Sequence, residues 1–299
     1  MKKKILFIGS EGSLGQAIAE DLEHHSELYR VGRLNKNLLL KSSSFLCGDL
    51  NDKNFCKEIS KHHFDVAIYA AGVWKGKNID HSNYTENLNP FNNFIEIIAS
   101  NCKHIIFFSS SAVYDENENF TEQLINKIPK NSYGEAKLQC EQLLVDFCIK
   151  TNKDYTILRP FHISSPYEEF MPGRSHVMTD FIHKVMNEDK DFIDNAPNLP
   201  EVYIPFTWAK DISNILIKLS LSKGNQDIYN IGSSKLHSLK FLALTIMNTL
   251  GHEYPKSLIS EVKYIEKSYF NSSFDAFGNY NVTDIERMIK IFTKLKLSK

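Results

Sequence analysis

The feature that most constrains the fold is a short apolar run, Lys4–Ile8, that breaks directly into Gly9-Ser10-Glu11-Gly12-Ser13-Leu14-Gly15 and then into an amphipathic stretch. Leu14, Ile18 and Leu22 recur at helical spacing over Leu14–Glu23. Strand, tight turn and helix in that order open a parallel βα unit. Glycines at this spacing let the turn tighten, let the backbone approach a pyrophosphate and let the helix pack close to the strand. The helix N-terminus adds free N–H groups and the positive end of its dipole. The spacing is GxxGxxG rather than GxGxxG, and alone it also fits a purely structural turn. With Met1-Lys2-Lys3-Lys4 ahead of it, the apolar run mimics the start of a leader. It stops at Gly9, far short of a secretory core, so it reads as a buried first strand.

The rest of the first half repeats the alternation. Strands are expected at Tyr29–Val31, Phe45–Cys47, Asp65–Ala70, His104–Phe108 and Tyr155–Leu158, and helices at Phe55–His62, Phe91–Ser100 and Tyr133–Lys150. Further on, Asp211–Leu221, Ser238–Leu250 and Thr283–Leu295 read as helices and Asp227–Ile231 as a strand. Thr283 or Asp284 would cap the last helix. The expected class is α/β: a doubly wound, Rossmann-type parallel sheet with a smaller, discontinuous C-terminal lobe. Between Ser164 and Pro205 the pattern loosens and Pro166, Pro172, Pro197, Pro200 and Pro205 gather. That stretch reads as an insertion on the substrate side. The division expected is a sheet domain over 1–163 and 203–233, and a substrate lobe over 164–202 and 234–299.

Composition excludes several classes of function. Among 299 residues, 35 Lys and Arg face 36 Asp and Glu, a net charge of −1. A near-neutral chain has no global attraction for nucleic acid or an anionic membrane, so any anion site is local. No window approaches ~18 consecutive apolar residues, the length of a membrane-spanning helix. The five cysteines, Cys47, Cys56, Cys102, Cys140 and Cys148, are scattered and form no CxxC pair. That argues against a disulfide framework and a zinc site, and for a reducing compartment, the cytoplasm. No metal is expected.

Two further motifs carry chemistry. Tyr133-Gly134-Glu135-Ala136-Lys137 sets a phenol and an ammonium four positions apart, on one helix face. A lysine so placed would favour phenolate and lower the tyrosine pKa, making it a proton relay to a carbonyl or hydroxyl oxygen. The strand His104–Phe108 ends in Ser109-Ser110-Ser111-Ala112-Val113-Tyr114. Serines at the carboxyl end of a parallel strand stand where such sheets bind ligands, and a hydroxyl there reaches the same oxygen.

These motifs resemble the extended short-chain dehydrogenase/reductases, the nucleotide-sugar epimerases, dehydratases and reductases that use NAD(P). The resemblance spans nearly the whole chain. It rests on Gly9/Gly12/Gly15, Gly48-Asp49-Leu50, Ala70-Ala71-Gly72, Asn87, Ser109–Tyr114, Tyr133/Lys137, Leu158-Arg159-Pro160, Asp211-Ile212 and Tyr229-Asn230-Ile231-Gly232. It implies a catalytic set of Ser110, Tyr133 and Lys137, with Ser110 chosen because it lies four residues before Tyr114. It implies cofactor contacts from Gly9, Gly12, Ser13, Leu14, Gly15, Asp49, Leu50, Ala70, Ala71, Gly72, Asn87, Tyr133 and Lys137. Asp49 would meet the adenine and Lys137 the nicotinamide ribose. It also implies a homodimer paired through the helices at Phe91–Ser100 and Tyr133–Lys150.

Within that family the residue after the second strand reads the adenosine ribose. Arg33 falls close to the expected distance from Gly15, and a guanidinium suits a 2′-phosphate, so NADPH is favoured over NAD. Ser111-Ala112 after Ser110 lacks the acid pair of the dehydratases. Ser175-His176-Val177-Met178 is similar to a segment of GDP-fucose synthase-like 4-keto-sugar reductases, but the cysteine that partners the histidine there is Ala112 here. Ser111, His162, Arg174 and His176 are the candidate substrate contacts. The reading is an NADPH-dependent reductase of a nucleotide-linked 4-keto (deoxy)sugar in bacterial surface-polysaccharide synthesis. Its rivals are an epimerase that keeps NAD bound and a cofactor-binding sensor or assembly protein.

Overall fold

A computed structural model of the chain describes residues 2–34, 40, 42–76, 80–114, 122, 129–205, 207–222, 224, 226–233, 235–253, 262–264, 280 and 282–297. Strands β1 (Lys4–Ile8), β2 (Glu27–Gly32), β3 (Ser44–Cys47), β4 (Phe64–Tyr69), β5 (Cys102–Phe108), β6 (Asp154–Pro160) and, later in the chain, Gln226–Ile231 form one parallel sheet. Its spatial order from one edge is Gln226–Ile231, β6, β5, β4, β1, β2, β3. The order reverses between β1 and β4, so the crevice at their carboxyl ends is the place where such sheets take ligands. Gly9 leaves β1 there and Ala70 leaves β4 there.

Buried side chains alternate along β1 because successive residues point to opposite faces. Leu6 and Ile8 join one core layer with Tyr69, Phe91, Phe94 and Phe107, under helices α2 (Lys53–Ile59), α3 (Ser82–Asn93) and α4 (Ser132–Thr151). Ile5 and Phe7 join the opposite layer with Ile18, Leu22, Ile212 and Leu216, from α1 (Ser13–His25) and the helix Ala209–Leu221. A sheet buried on both faces needs near-continuous apolar strands, as His104–Phe108 reads.

Two short strands, β7 (Ile163–Ser164) and β8 (Tyr203–Pro205), flank α5 (Val177–Met186) and α6 (Lys190–Asn195). Strand β9 (Thr207–Trp208) pairs with β7 and leads into α7, the helix Ala209–Leu221, and β10, the strand Gln226–Ile231. Strands β11 (Lys235–Ser238) and β12 (Val262–Tyr264) join β8 in a small antiparallel sheet. Helices α8 (Leu239–Thr249) and α9 (Val282–Leu297) pack with α5 around a separate cluster that includes Phe181, Ile182, Phe241, Leu244, Ile285 and Phe292.

Two local expectations differ from the structure. Helix α3 starts at Ser82, and Phe94–Ile98 is a π-turn that follows it, so the helix expected over Phe91–Ser100 begins nine residues early. The apolar pattern hides this start because the buried residues of its first turns are Asn83 and Asn87. In α9, Thr283 and Asp284 lie inside the helix, after Val282, rather than ahead of it as a cap.

The five cysteines are free, and all but Cys47 are buried. Among the described residues no helix is long and apolar enough to cross a membrane, and no group of three or more His, Cys, Asp or Glu side chains gathers as metal ligands.

Candidate active site

The glycine turn is held by backbone packing. Gly9 has φ +84°, a conformation that L side chains rarely adopt, and an added Cβ would stand 2.5 Å from the Ala71 nitrogen. A Cβ on Gly15 would stand 2.4 Å from the Gly9 carbonyl oxygen. The turn therefore nests against the end of β4 and against α1 in a way that only glycine permits. Gly12 is the N-cap of α1, and no side chain caps that terminus. Its first N–H groups stand at the crevice, which fits the diphosphate of a dinucleotide. Ser13 and Leu14 begin α1 and line the cavity, as do Ala70 and Gly72. Asn87 binds the chain just beyond: its Oδ1 accepts from Val73 N–H at 2.9 Å and its Nδ2 donates to Val73 O at 3.0 Å.

At the far end of the crevice, Asp49 is exposed and its Oδ1 accepts from the Asn51 backbone, while Leu50 is buried. Arg33 is exposed after β2. The sequence reading missed the pair beside it. Arg30, buried, donates to Glu11 Oε1 at 2.8 Å and to Ser43 Oγ at 2.8 Å. Glu11 lies across the end of β2, so that a Cβ on Gly32 would meet its Cγ at 2.5 Å. A carboxylate from the glycine turn thus stands where the second strand ends. No pattern in the sequence links residues 11, 30 and 32.

A cavity of about 980 Å³ opens from this crevice between the sheet and the C-terminal elements. Ser109, Ser110, Ser111, Tyr133 and Lys137 meet in its wall. Ser110 caps a short turn, its Oγ accepting from Ala112 N–H at 3.1 Å, and its hydroxyl also bonds Tyr133. Asn131 caps α4, accepting from Gly134 N–H at 2.9 Å, which sets the first turn bearing Tyr133. Lys137 Nζ donates to Phe108 O at 2.9 Å and lies 5.8 Å from the centre of the Tyr133 ring. The expected lowering of the Tyr133 pKa is reversed. Burial pushes it up to about 12, against the pull of the Ser110 hydrogen bond. Burial also pulls Lys137 down to about 8, and its ammonium is aimed at the Phe108 carbonyl rather than at the phenol. The bond to β5 and the lost hydration outweigh the attraction expected from helical spacing.

A buried network fixes these parts to one another. Arg159 on β6 bonds Glu141 on α4 through Nε at 2.9 Å and Nη2 at 2.5 Å, and donates from Nη1 to the Tyr114 hydroxyl at 2.8 Å. Tyr114 in turn donates to Asn230 Oδ1 at 2.7 Å.

The outer wall holds His162 and His176. His162 follows Arg159-Pro160-Phe161 at φ +39° and lines the cavity with its side chain exposed there, where desolvation by the walls and the neighbouring His176 disfavour its protonation. His176 Nδ1 lies 2.6 Å from Glu168 Oε1, and Thr179 also donates to that carboxylate. Burial raises the Glu168 pKa, but the His176 and Thr179 hydrogen bonds and the His176 charge outweigh it and hold it below the usual range. A carboxylate only accepts, so Nδ1 carries a proton. Glu168 and Trp74 were not legible as site residues. Arg174 is exposed and outside the cavity wall, which Ile204 lines.

The model of the NAD dependent epimerase/dehydratase family matches residues 5–232. The chain belongs to that family. It is 27% identical over 265 residues to the dTDP-4-dehydro-6-deoxyglucose reductase of Escherichia coli, covering 82% of this chain and 81% of that protein. It is 26% identical over 244 residues to the UDP-glucose 4-epimerase of Yersinia enterocolitica, covering 74% and 71%. Among solved structures, the UDP-N-acetylglucosamine 4-epimerase of Methanobrevibacter ruminantium M1 in complex with UDP-N-acetylmuramic acid superposes with a TM-score of 0.77 at 22% identity, over 100% of this chain and 99% of that one. As a member the chain is an enzyme of the NAD-dependent epimerase/dehydratase family, and the Rossmann-like fold is shared with the solved structure.

Proposed function

We propose that the chain is an NADPH-dependent reductase of a nucleotide-linked 4-keto (deoxy)sugar, serving surface-polysaccharide synthesis in the bacterial cytoplasm. The observation that carries this reading is the meeting of Ser110, Tyr133 and Lys137 in one cavity wall, a phenol with a hydroxyl and an ammonium beside it, the set that protonates a carbonyl oxygen during reduction. The similarity to a 4-keto-sugar reductase over most of both chains supports the same reading.

The glycine turn and the uncapped α1 terminus fit a bound dinucleotide, whose diphosphate Gly9, Gly12, Ser13, Leu14 and Gly15 would hold, with Ala70–Gly72 as further contacts. When bound, it supplies hydride to the keto carbon. Ser110 donates a hydrogen bond to the keto oxygen and Tyr133 gives it a proton. Lys137, 5.8 Å from the Tyr133 ring centre, stabilises the phenolate as the proton leaves. Arg33 holds the 2′-phosphate. The substrate side comprises 164–202 and 234–299, and two copies pair through α3 and α4.

An epimerase with retained NAD is the second reading. Glu11, laid across Gly32, supplies an acid at the ribose end of the kind that accepts a 2′-hydroxyl. Similarity to two 4-epimerases points the same way. Incubation with nucleotide-linked 4-keto sugars and NADPH tests the proposal. Loss of reduced nicotinamide in step with product supports it. Interconversion of two hydroxy sugars without added cofactor would replace it with the epimerase.

A further inference from the structure

Trp74 is the largest side chain of the cavity wall that neither the family motifs nor the proton-transfer geometry uses. Its loop, after β4, is gripped from two sides. The amides of Asn83 and Asn87 bond the Val73 backbone at 2.8–3.0 Å. Beyond Trp74, Gly76 (φ +58°) packs so closely on the 173–174 backbone that a Cβ there would stand 2.1 Å from Gly173 O. The indole lies with its edge to Tyr133, ring centres 5.2 Å apart and planes at 71°, and is nearly parallel to His176 at 6.4 Å and 18°. It bridges the phenol and the Glu168-backed imidazole. Even so it is 38% exposed, while the chain's other tryptophan, Trp208, is 6% exposed.

A large aromatic face left open to a cavity, and held rigid, is suited to an apolar surface of matching size. A pyranose carries its hydroxyls around the rim and its C–H bonds on its faces, and those polarised hydrogens meet the negative face of an indole favourably. We propose that Trp74 is the platform on which the sugar ring of the substrate stacks, with the C–H-rich face of a keto or deoxy hexose against the indole and its reacting oxygen turned to Tyr133. This rests on the nucleotide-sugar reading above and adds the residue that selects the ring. The nicotinamide and the nucleotide lie outside the contact.

Intrinsic emission tests it, because the difference between the native protein and Trp74→Phe isolates the Trp74 signal. The ligands are a panel of UDP-, dTDP-, GDP- and CDP-linked sugars, the matching nucleoside diphosphates, and NADPH. The sugar nucleotide that turns over changes the Trp74 emission, and its diphosphate alone does not. Trp74→Ala raises KM for that substrate about tenfold with kcat within about threefold, and Trp74→Phe recovers most of the loss. KM for the reduced cofactor stays within about twofold in both variants. A substrate that turns over with Trp74 emission and KM unmoved overturns the platform and leaves the proposed function standing. An equal response to the diphosphate alone overturns it in favour of base stacking. Emission changes without turnover support the platform and overturn the reductase, and neither response from any panel member overturns both.

Discussion

Around Gly9, Gly12 and Gly15 the crevice is shaped by backbone, whereas around His162, His176 and Trp74 it is shaped by side chains from separate loops. The first end tolerates no Cβ at Gly9 or Gly15, and its helix terminus is bare. The second depends on one hydrogen-bonded carboxylate, Glu168, and on a loop clamped by two buried asparagines. A diphosphate is common to all dinucleotides and is met by N–H groups that any sequence supplies. A sugar varies, and its recognition needs particular side chains in a particular order in space. Tyr133 stands where the two ends meet.

Tyr133→Phe should give the largest effect at that junction. It preserves the ring and removes the proton donor, so turnover falls by ~10²–10⁴. Binding of the reduced cofactor, measured by fluorescence titration, stays within about twofold. A parallel loss of cofactor affinity would merge the two ends into one cooperative site. Ser110→Ala costs less, because the proton donor remains.

The sheet carrying both ends has its own pH response. His104 on β5 is buried against Thr156 at 2.9 Å, and burial pulls its pKa down to about 4. Because the folded pKa is depressed, the unfolded chain takes up the proton first as pH falls. Stability is therefore full above about 6.5, declines between about 6.5 and 4, and levels off below, with a loss on the order of 3 kcal/mol. Chemical denaturation across that window should show the decline, and His104→Gln should flatten it. An unchanged slope in the variant would move the response to other groups.

Arg33→Ala gives the smallest of these effects, confined to the cofactor end. Loss of one charge-assisted contact is worth ~1.5–3 kcal/mol, so preference for NADPH over NADH drops about tenfold or more. Equal native affinities for the two cofactors would hand the ribose end to Glu11 and favour the epimerase.

The same contrast governs what the sequence made legible. The parallel sheet, its helices and the set Gly9, Gly15, Ser110, Tyr133 and Lys137 were readable because they lie in contiguous motifs with fixed strand and helix periods. Glu11 with Arg30, and Glu168 with His176, were not, because each pair joins residues 19 or 8 positions apart through tertiary packing. The start of α3 was hidden for a related reason: it buries asparagines that hold the Trp74 loop, so polar residues occupy positions where a pattern search expects apolar ones. The Tyr133 pKa was misjudged because helical spacing gives proximity to Lys137 but says nothing of burial or of the Phe108 carbonyl that claims the ammonium.

The central claim is that hydride leaves the cofactor for good and that Tyr133 supplies the accompanying proton. The direct test uses NADPH deuterated at the nicotinamide C4 with the keto-sugar substrate, and mass spectrometry and NMR of the product. The account predicts one deuterium at the former keto carbon and one cofactor oxidised for each product formed. Turnover with no net oxidation of cofactor, and a product that carries no deuterium, would contradict it.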